Sequence, residues 1–159
     1  MTTRAVFSDV CAIYRERLLG EPETISSDVR ERMLTGLSIT GVEYAEAMAF
    51  KSIWKHVLGD LFTNVELLLS PTAPVGAPPI DDGSTLLQAT RAMTRNTYAG
   101  AFGHLPGLSV PCGFTSSGLP IGVQLEAAWW AEPLLFRAGC AHQTRTRFHL
   151  TRPALTQSL

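Results

Sequence analysis

The sequence predicts an α/β fold, and three observations carry that expectation. Apolar residues recur at helical spacing through the first 62 positions. Three short apolar runs, Val65–Leu69, Leu108–Phe114 and Ile121–Leu125, are bounded by turn-forming residues and read as strands. A last helical stretch begins at Glu132.

Val6 to Leu19 reads as the first helix, with Val6, Phe7, Val10, Ile13, Tyr14 and Leu18 apolar and Arg15, Glu16 and Arg17 toward water. Gly20 and Pro22 stop it. A short helix is expected from Asp28 to Leu34, with Asp28 as cap, Glu31 completing a capping pair and Gly36 as C-terminal cap. The third helix runs from Val42 to about Phe62. Thr40 and Glu43 have capping-box spacing, and Phe50, Ile53, Trp54, Val57, Leu58 and Leu61 form one apolar face. The only two lysines, Lys51 and Lys55, lie on this helix and read as a solvated flank. After the Val65–Leu69 strand, the prolines of Ser70–Pro79 imply an extended loop, and Asp81–Ser84 a turn. Thr85 to Arg95 reads as a short helix. The glycines and prolines from there to Pro106 exclude regular helix or strand and point to an irregular loop. Leu108–Phe114 and Ile121–Leu125 then form a hairpin turning at Ser116-Ser117-Gly118. Trp129 and Trp130 follow in a loop. The final helix, Glu132 to Thr144, has Pro133 in its first turn and a stripe of Leu134, Leu135, Ala138 and Ala141.

Composition bounds the function. The chain has 159 residues, 45% hydrophobic and 17% charged, with formal net charge −1. That is a globular composition without the basic footprint that nucleic acid or an anionic membrane surface requires. No apolar run is long enough to span a membrane, and MTTRAVFSDV lacks the apolar centre of a signal peptide. Cys11, Cys112 and Cys140 are odd in number and widely spaced, as expected of reduced thiols in a cytoplasmic protein. The apolar, Gly- and Pro-rich later two-thirds leaves two readings open: an ordinary core, or surface meant for another domain or subunit.

The run Gly103-His-Leu-Pro-Gly-Leu-Ser-Val-Pro-Cys-Gly113, followed by Gly118-Leu-Pro-Ile-Gly-Val-Gln124, resembles the C-terminal core of the amidase signature family. Leu67-Leu-Leu-Ser-Pro-Thr-Ala-Pro74 resembles that family's strand and "TPTAP" element, and Asp28–Ala49 resembles the helical segment before it. The likeness extends over nearly the whole chain. It implies a mixed sheet flanked by helices, of which residues 1–159 are one partial domain: a helical segment (1–63), strands, TPTAP-like loop and hairpin (64–127), and a closing helix and tail (128–159). It implies hydrolysis of a small-molecule carboxamide by a Ser–cisSer–Lys triad, without metal or organic cofactor.

The triad itself is not legible here. The family's Gly/Ser-rich loop is missing from the sequence, neither lysine lies in the catalytic-lysine context, and there is no Gly-x-Ser-x-Gly elbow. Ser116-Ser117-Gly118 reads as a turn. His56, His104, His142 and His149 are scattered, without zinc-ligand spacing, and the cysteines make no C-x-x-C. No catalytic and no metal-binding residue is therefore assigned. On the substrate side, the resemblance implies that Ser70–Pro74 and Thr97–Pro106 shape the acyl pocket, with Thr72, Thr97, Tyr98, Phe102 and His104 as candidate contacts. Ala101 stands where many members have asparagine and His104 where they have glycine. Two alternatives to a portion of an amidase stay open: a non-catalytic binding or assembly module on the same scaffold, and a truncated product. Either could associate, as a homodimer or otherwise, through an uncovered apolar face.

Overall fold

The computed structural model describes residues 2–79 and 86–152. They form two compact units. The first holds α1 (Thr2–Ile13), α2 (Arg15–Gly20), α3 (Ser27–Leu34), α4 (Gly41–Leu61) and the part of α5 (Leu86–Thr94) up to Arg91. The second holds β1 (Leu67–Pro71), the end of α5, α6 (Tyr98–Gly103), β2 (Gly107–Phe114), β3 (Pro120–Ala127) and α7 (Glu132–Arg145). The α/β class expected from the sequence is the class observed.

In the first unit, Cys11, Leu18 and Met33 are buried together, with Val10 and Ile25 packed on them. The Cys11 thiol donates to the Met33 carbonyl at 2.6 Å, which joins α1 to α3. Several expectations are corrected here. The first helix is two, because the backbone at Tyr14 departs from helical geometry (φ −102°, ψ 15°). Hydrogen bonds Tyr14 N to Val10 O and Leu18 N to Tyr14 O run through the break, so it is a kink. Ser26, and not Asp28, occupies the N-cap position of α3. Asp28 lies in the first turn. The Ser26 hydroxyl and the Val29 N–H hold its carboxyl below the ordinary range. Gly36 is not a helix cap. It is buried inside a 3₁₀ turn, Thr35–Ser38. A Cβ there would overlap the Phe7 carbonyl and lie 2.7 Å from Cys11 Sγ, so the turn rests directly on α1.

The capping box of α4 forms as expected: Glu43 N donates to Thr40 Oγ1 at 3.2 Å and Thr40 N to Glu43 Oε2 at 3.0 Å. The apolar face of α4 is not a buried face. Leu58 is 2% exposed, but Phe50, Ile53 (61%), Val57 and Leu61 face water.

The second unit is a three-stranded antiparallel sheet ordered β1-β3-β2. Leu67 pairs with Ala127 and Leu108 with Leu125. The β2–β3 register slips between Pro111 and Gly113, leaving Cys112 as the extra residue of a bulge. β1 starts two residues later than predicted and ends on Pro71, so Ser70 and Pro71 belong to the strand and not to the loop. α7 packs Leu135 and Ala138 onto Leu67, Leu108 and Leu125. Gly139 and His142 complete its inner side, while Ala141 is exposed. His142 Nε2–H donates to the Pro111 carbonyl at 2.9 Å, and its ring stacks on Phe148. The expected turn at Asp81–Ser84 lies outside the described residues.

The segment expected to be irregular contains α6. Its glycines serve packing: a Cβ on Gly100 would overlap the Glu126 carboxylate. Beyond Gly103, His104 takes the left-handed conformation (φ 59°). His104 N donates to Ala101 O and Leu105 N to Gly100 O, which is the Schellman pair that ends a helix. That position favours glycine, since an L side chain costs about 1–2 kcal/mol there.

Gly36→Ala is expected to destabilise the protein by about 1–3 kcal/mol, as overpacking against a backbone carbonyl does, read as a lower midpoint in urea unfolding.

Candidate functional site

The site is built where β1 runs out. Thr72 N donates to Gly122 O at 2.9 Å, which extends the β1–β3 ladder one residue past Pro71. Asn96 Nδ2, just beyond α5, donates to the Pro71 carbonyl at 2.8 Å and holds the same corner. This pairing delivers the Thr72 side chain over β3. Thr72 Oγ1 and Ser109 Oγ meet at 2.6 Å, across the strand that separates them. Both hydroxyls need the missing side chain of Gly122: a Cβ there would stand 2.9 Å from Thr72 Oγ1 and 3.0 Å from Ser109 Oγ.

Beside this pair opens a cleft of about 570 Å³. Its walls are Thr72–Ala77, Met93, Val110, Pro111 and Ile121, with Thr72 and Ser109 among its few polar groups. An apolar cleft with a small polar cluster suits a small organic ligand held by one or two hydrogen bonds. Among the described residues, no three His, Cys, Asp or Glu side chains gather as metal ligands.

Of the five candidate contacts, Thr72 lines this cleft. The other four lie on or next to α6 and are not among its walls. Thr97 precedes the helix and turns its Oγ1 back to the Thr94 carbonyl at 2.9 Å. Tyr98 is exposed at the first helical position. Phe102 is buried, at 5% exposure. His104 is exposed at the helix end. Ser109 and Gly122 are not among the sequence candidates. Ser109 is the one hydroxyl between Leu108 and Val110 in an apolar strand, a signal available in the sequence. Its pairing with Thr72 depends on strand order, which the sequence does not state.

A second polar group lies beneath α6. Glu126 is half-buried on β3 with its carboxylate against Gly100. Burial pushes its carboxyl above the ordinary range, and a hydrogen bond from the buried Gln124 side chain opposes that in part. Trp129 Nε1–H donates to the Gly103 carbonyl at 2.9 Å, tying the end of α6 to the turn after β3.

With this geometry in place, comparison with known proteins gives a consistent result. The Amidase family model matches residues 3–136. An amidase of Pseudomonas putida is 28% identical over 153 residues, covering 92% of this chain and 33% of that protein. A glutamyl-tRNA(Gln) amidotransferase subunit from a Nostoc species is 34% identical over 140 residues, covering 82% and 28%. A crystal structure of an amidase superposes with TM-score 0.80 at 27% identity over 90% of this chain and 34% of the other. The chain belongs to the amidase signature family. It spans about a third of the length of these relatives.

Two measurements test the site. Thr72→Val and Ser109→Ala should each cost about 0.5–1.5 kcal/mol, and the double variant should cost less than their sum, because one hydrogen bond is lost once; urea unfolding of the four proteins reads the coupling. Glu126 binds its proton more tightly folded than unfolded. Its contribution to stability is therefore greatest below the ordinary Glu value of 4.5 and is lost as pH rises through the raised folded value. Glu126→Gln should raise the melting temperature at neutral pH and flatten the fall in melting temperature that sets in as pH rises from 4.5 through the raised folded value.

Proposed function

We propose that this chain is the C-terminal portion of a carboxamide hydrolase and is inactive alone. The observation that carries the proposal is the family match over residues 3–136, set against a span of a third of the relatives. In this reading residues 1–159 are one part of a larger catalytic domain. The nucleophilic serine, the bridging serine and the lysine come from the family's Gly/Ser-rich region, which this sequence does not contain. Hydrolysis then runs through an acyl-serine intermediate on a small linear amide, without metal or organic cofactor, in the cytoplasm. This chain contributes the substrate side. The cleft at Thr72 takes part of the acyl group, and the α6 segment, with Thr97, Tyr98, Phe102 and His104, borders the substrate's path.

One observation favours a second reading. Ile53 (61%), Leu69 (70%) and Trp130 (90%) are large apolar side chains left in water. A protein that works at this length would cover them by association, as a homodimer or with another chain, in a binding or assembly role. Among the described residues no helix is long and apolar enough to cross a membrane.

The test is the DNA upstream of the Met1 codon together with an amide-hydrolysis assay of the chain alone. The expected result is an in-frame Gly/Ser-rich loop upstream and no ammonia release by the isolated chain. Turnover by this chain alone would overturn the proposal. So would a stop codon and ribosome-binding site directly before Met1, and sedimentation would then establish the associated state.

A further inference from the structure

The two hydroxyls of Thr72 and Ser109 together offer a donor and an acceptor side by side. Each hydroxyl has one O–H and two lone pairs. Their contact at 2.6 Å uses one O–H and one lone pair, and either oxygen can be its donor. One O–H therefore stays free to donate, next to an oxygen that can only accept. Both residues line the cleft of about 570 Å³, and neither is sealed from it: Ser109 is exposed and Thr72 half-buried. Gly122 lies on the same wall and has no side chain to cover the pair.

The rest of the wall is uncharged. Among the described residues that line the cleft none is ionisable, and Met93, Val110, Pro111 and Ile121 are apolar. An ion entering such a cleft gives up hydration without gaining a counter-charge. A carboxylate only accepts. One of its oxygens would take the free O–H, while the other faced the lone pairs of the second hydroxyl. A primary carboxamide fits: its carbonyl takes the free O–H, and its NH₂ donates to the oxygen that only accepts. Because the pair can reverse its internal hydrogen bond, the amide is matched either way round.

We infer that the Thr72–Ser109 pair is a specificity subsite that holds the uncharged carboxamide of the substrate and rejects the carboxylate product. Hydrolysis replaces the amide nitrogen with an oxygen from water and releases ammonia, and the acid formed loses its proton at neutral pH. The donor that matched the accepting hydroxyl is then gone, and a charge stands in an uncharged cleft. The acyl chain lies along Met93, Val110 and Ile121. The choice of an amide as the ligand rests on the hydrolase reading, whereas the discrimination between donor and acceptor ends is a property of the pair itself.

The experiment is an NMR titration of the full ¹⁵N-labelled chain at neutral pH with benzamide, and with benzoate as the acid of the same shape. The expected result is saturable shifts of the Thr72, Ser109 and Gly122 amide signals with benzamide, and binding of benzoate weaker by about tenfold or more. Ser109→Ala and Thr72→Val each break the pair and should bring the amide-to-acid ratio about threefold or more closer to one, while Thr72→Ser keeps the hydroxyl and the ratio. A purely structural role for the pair would not move that ratio. If Ser109→Ala does not fold, the ratio in the unaltered chain and in Thr72→Ser still decides. Equal or tighter binding of benzoate, shifts that leave the cleft untouched, or an unchanged ratio in folded Ser109→Ala would sink the inference. Turnover by the chain alone bears on the hydrolase reading only. Loss of the amide preference beside an in-frame Gly/Ser-rich loop upstream removes this inference and leaves that reading standing.

Discussion

The second unit depends on one strand. β3 is the only described strand with two partners, and every feature of the candidate site is referred to it. Its pairing with β1 carries Thr72 to Gly122, and its pairing with β2 sets Ser109 opposite Gln124, with its hydroxyl reaching back to Gly122. Gly122 then lets two hydroxyls from different strands close to 2.6 Å. Farther along β3, Glu126 meets Gly100 of α6, and Leu125 and Ala127 meet α7. A side chain at Gly122 would move both hydroxyls, and a slip of one residue would send the whole set to the opposite face. The glycines of β3 and α6 thus act less as flexible points than as places where two backbones or a backbone and a side chain come close.

This explains what the sequence makes legible and what it hides. The capping box at Thr40 and Glu43 and the strands of the hairpin are readable because their signals are local: one side chain three residues from its partner, or an apolar run between turn residues. The loop reading of residues 95–106 fails for an equally physical reason. Gly100 and Gly103 resemble breakers when only neighbours in sequence are counted, yet in the structure Gly100 makes room for Glu126 and Gly103 is buried with its carbonyl taken by Trp129. Gly36 misleads in the same way. Its neighbour is Phe7, far away in sequence. Thr72 is found through a motif, whereas Ser109 can be placed beside it only once the order β1-β3-β2 is known.

Helix α4 makes a different point. Its apolar spacing reads correctly as a single face, but periodicity says only that a face exists and not what covers it. Leu58 is covered within this chain, while Ile53 and Val57 are not. A chain that spans a third of its relatives would be expected to carry such a surface, because the apolar side chains of a larger fold are shared among its parts.

Proline in both outer strands has a consequence for crowded solution. Pro71 takes a hydrogen-bond donor from β1, and Pro111, beside the bulge at Cys112, takes one from β2. A neighbouring molecule finds no unbroken row of donors to extend along either strand, so ordered growth into fibres is opposed at the sheet margins. The stickiness of the helix surface remains, but it has no directional ladder to follow.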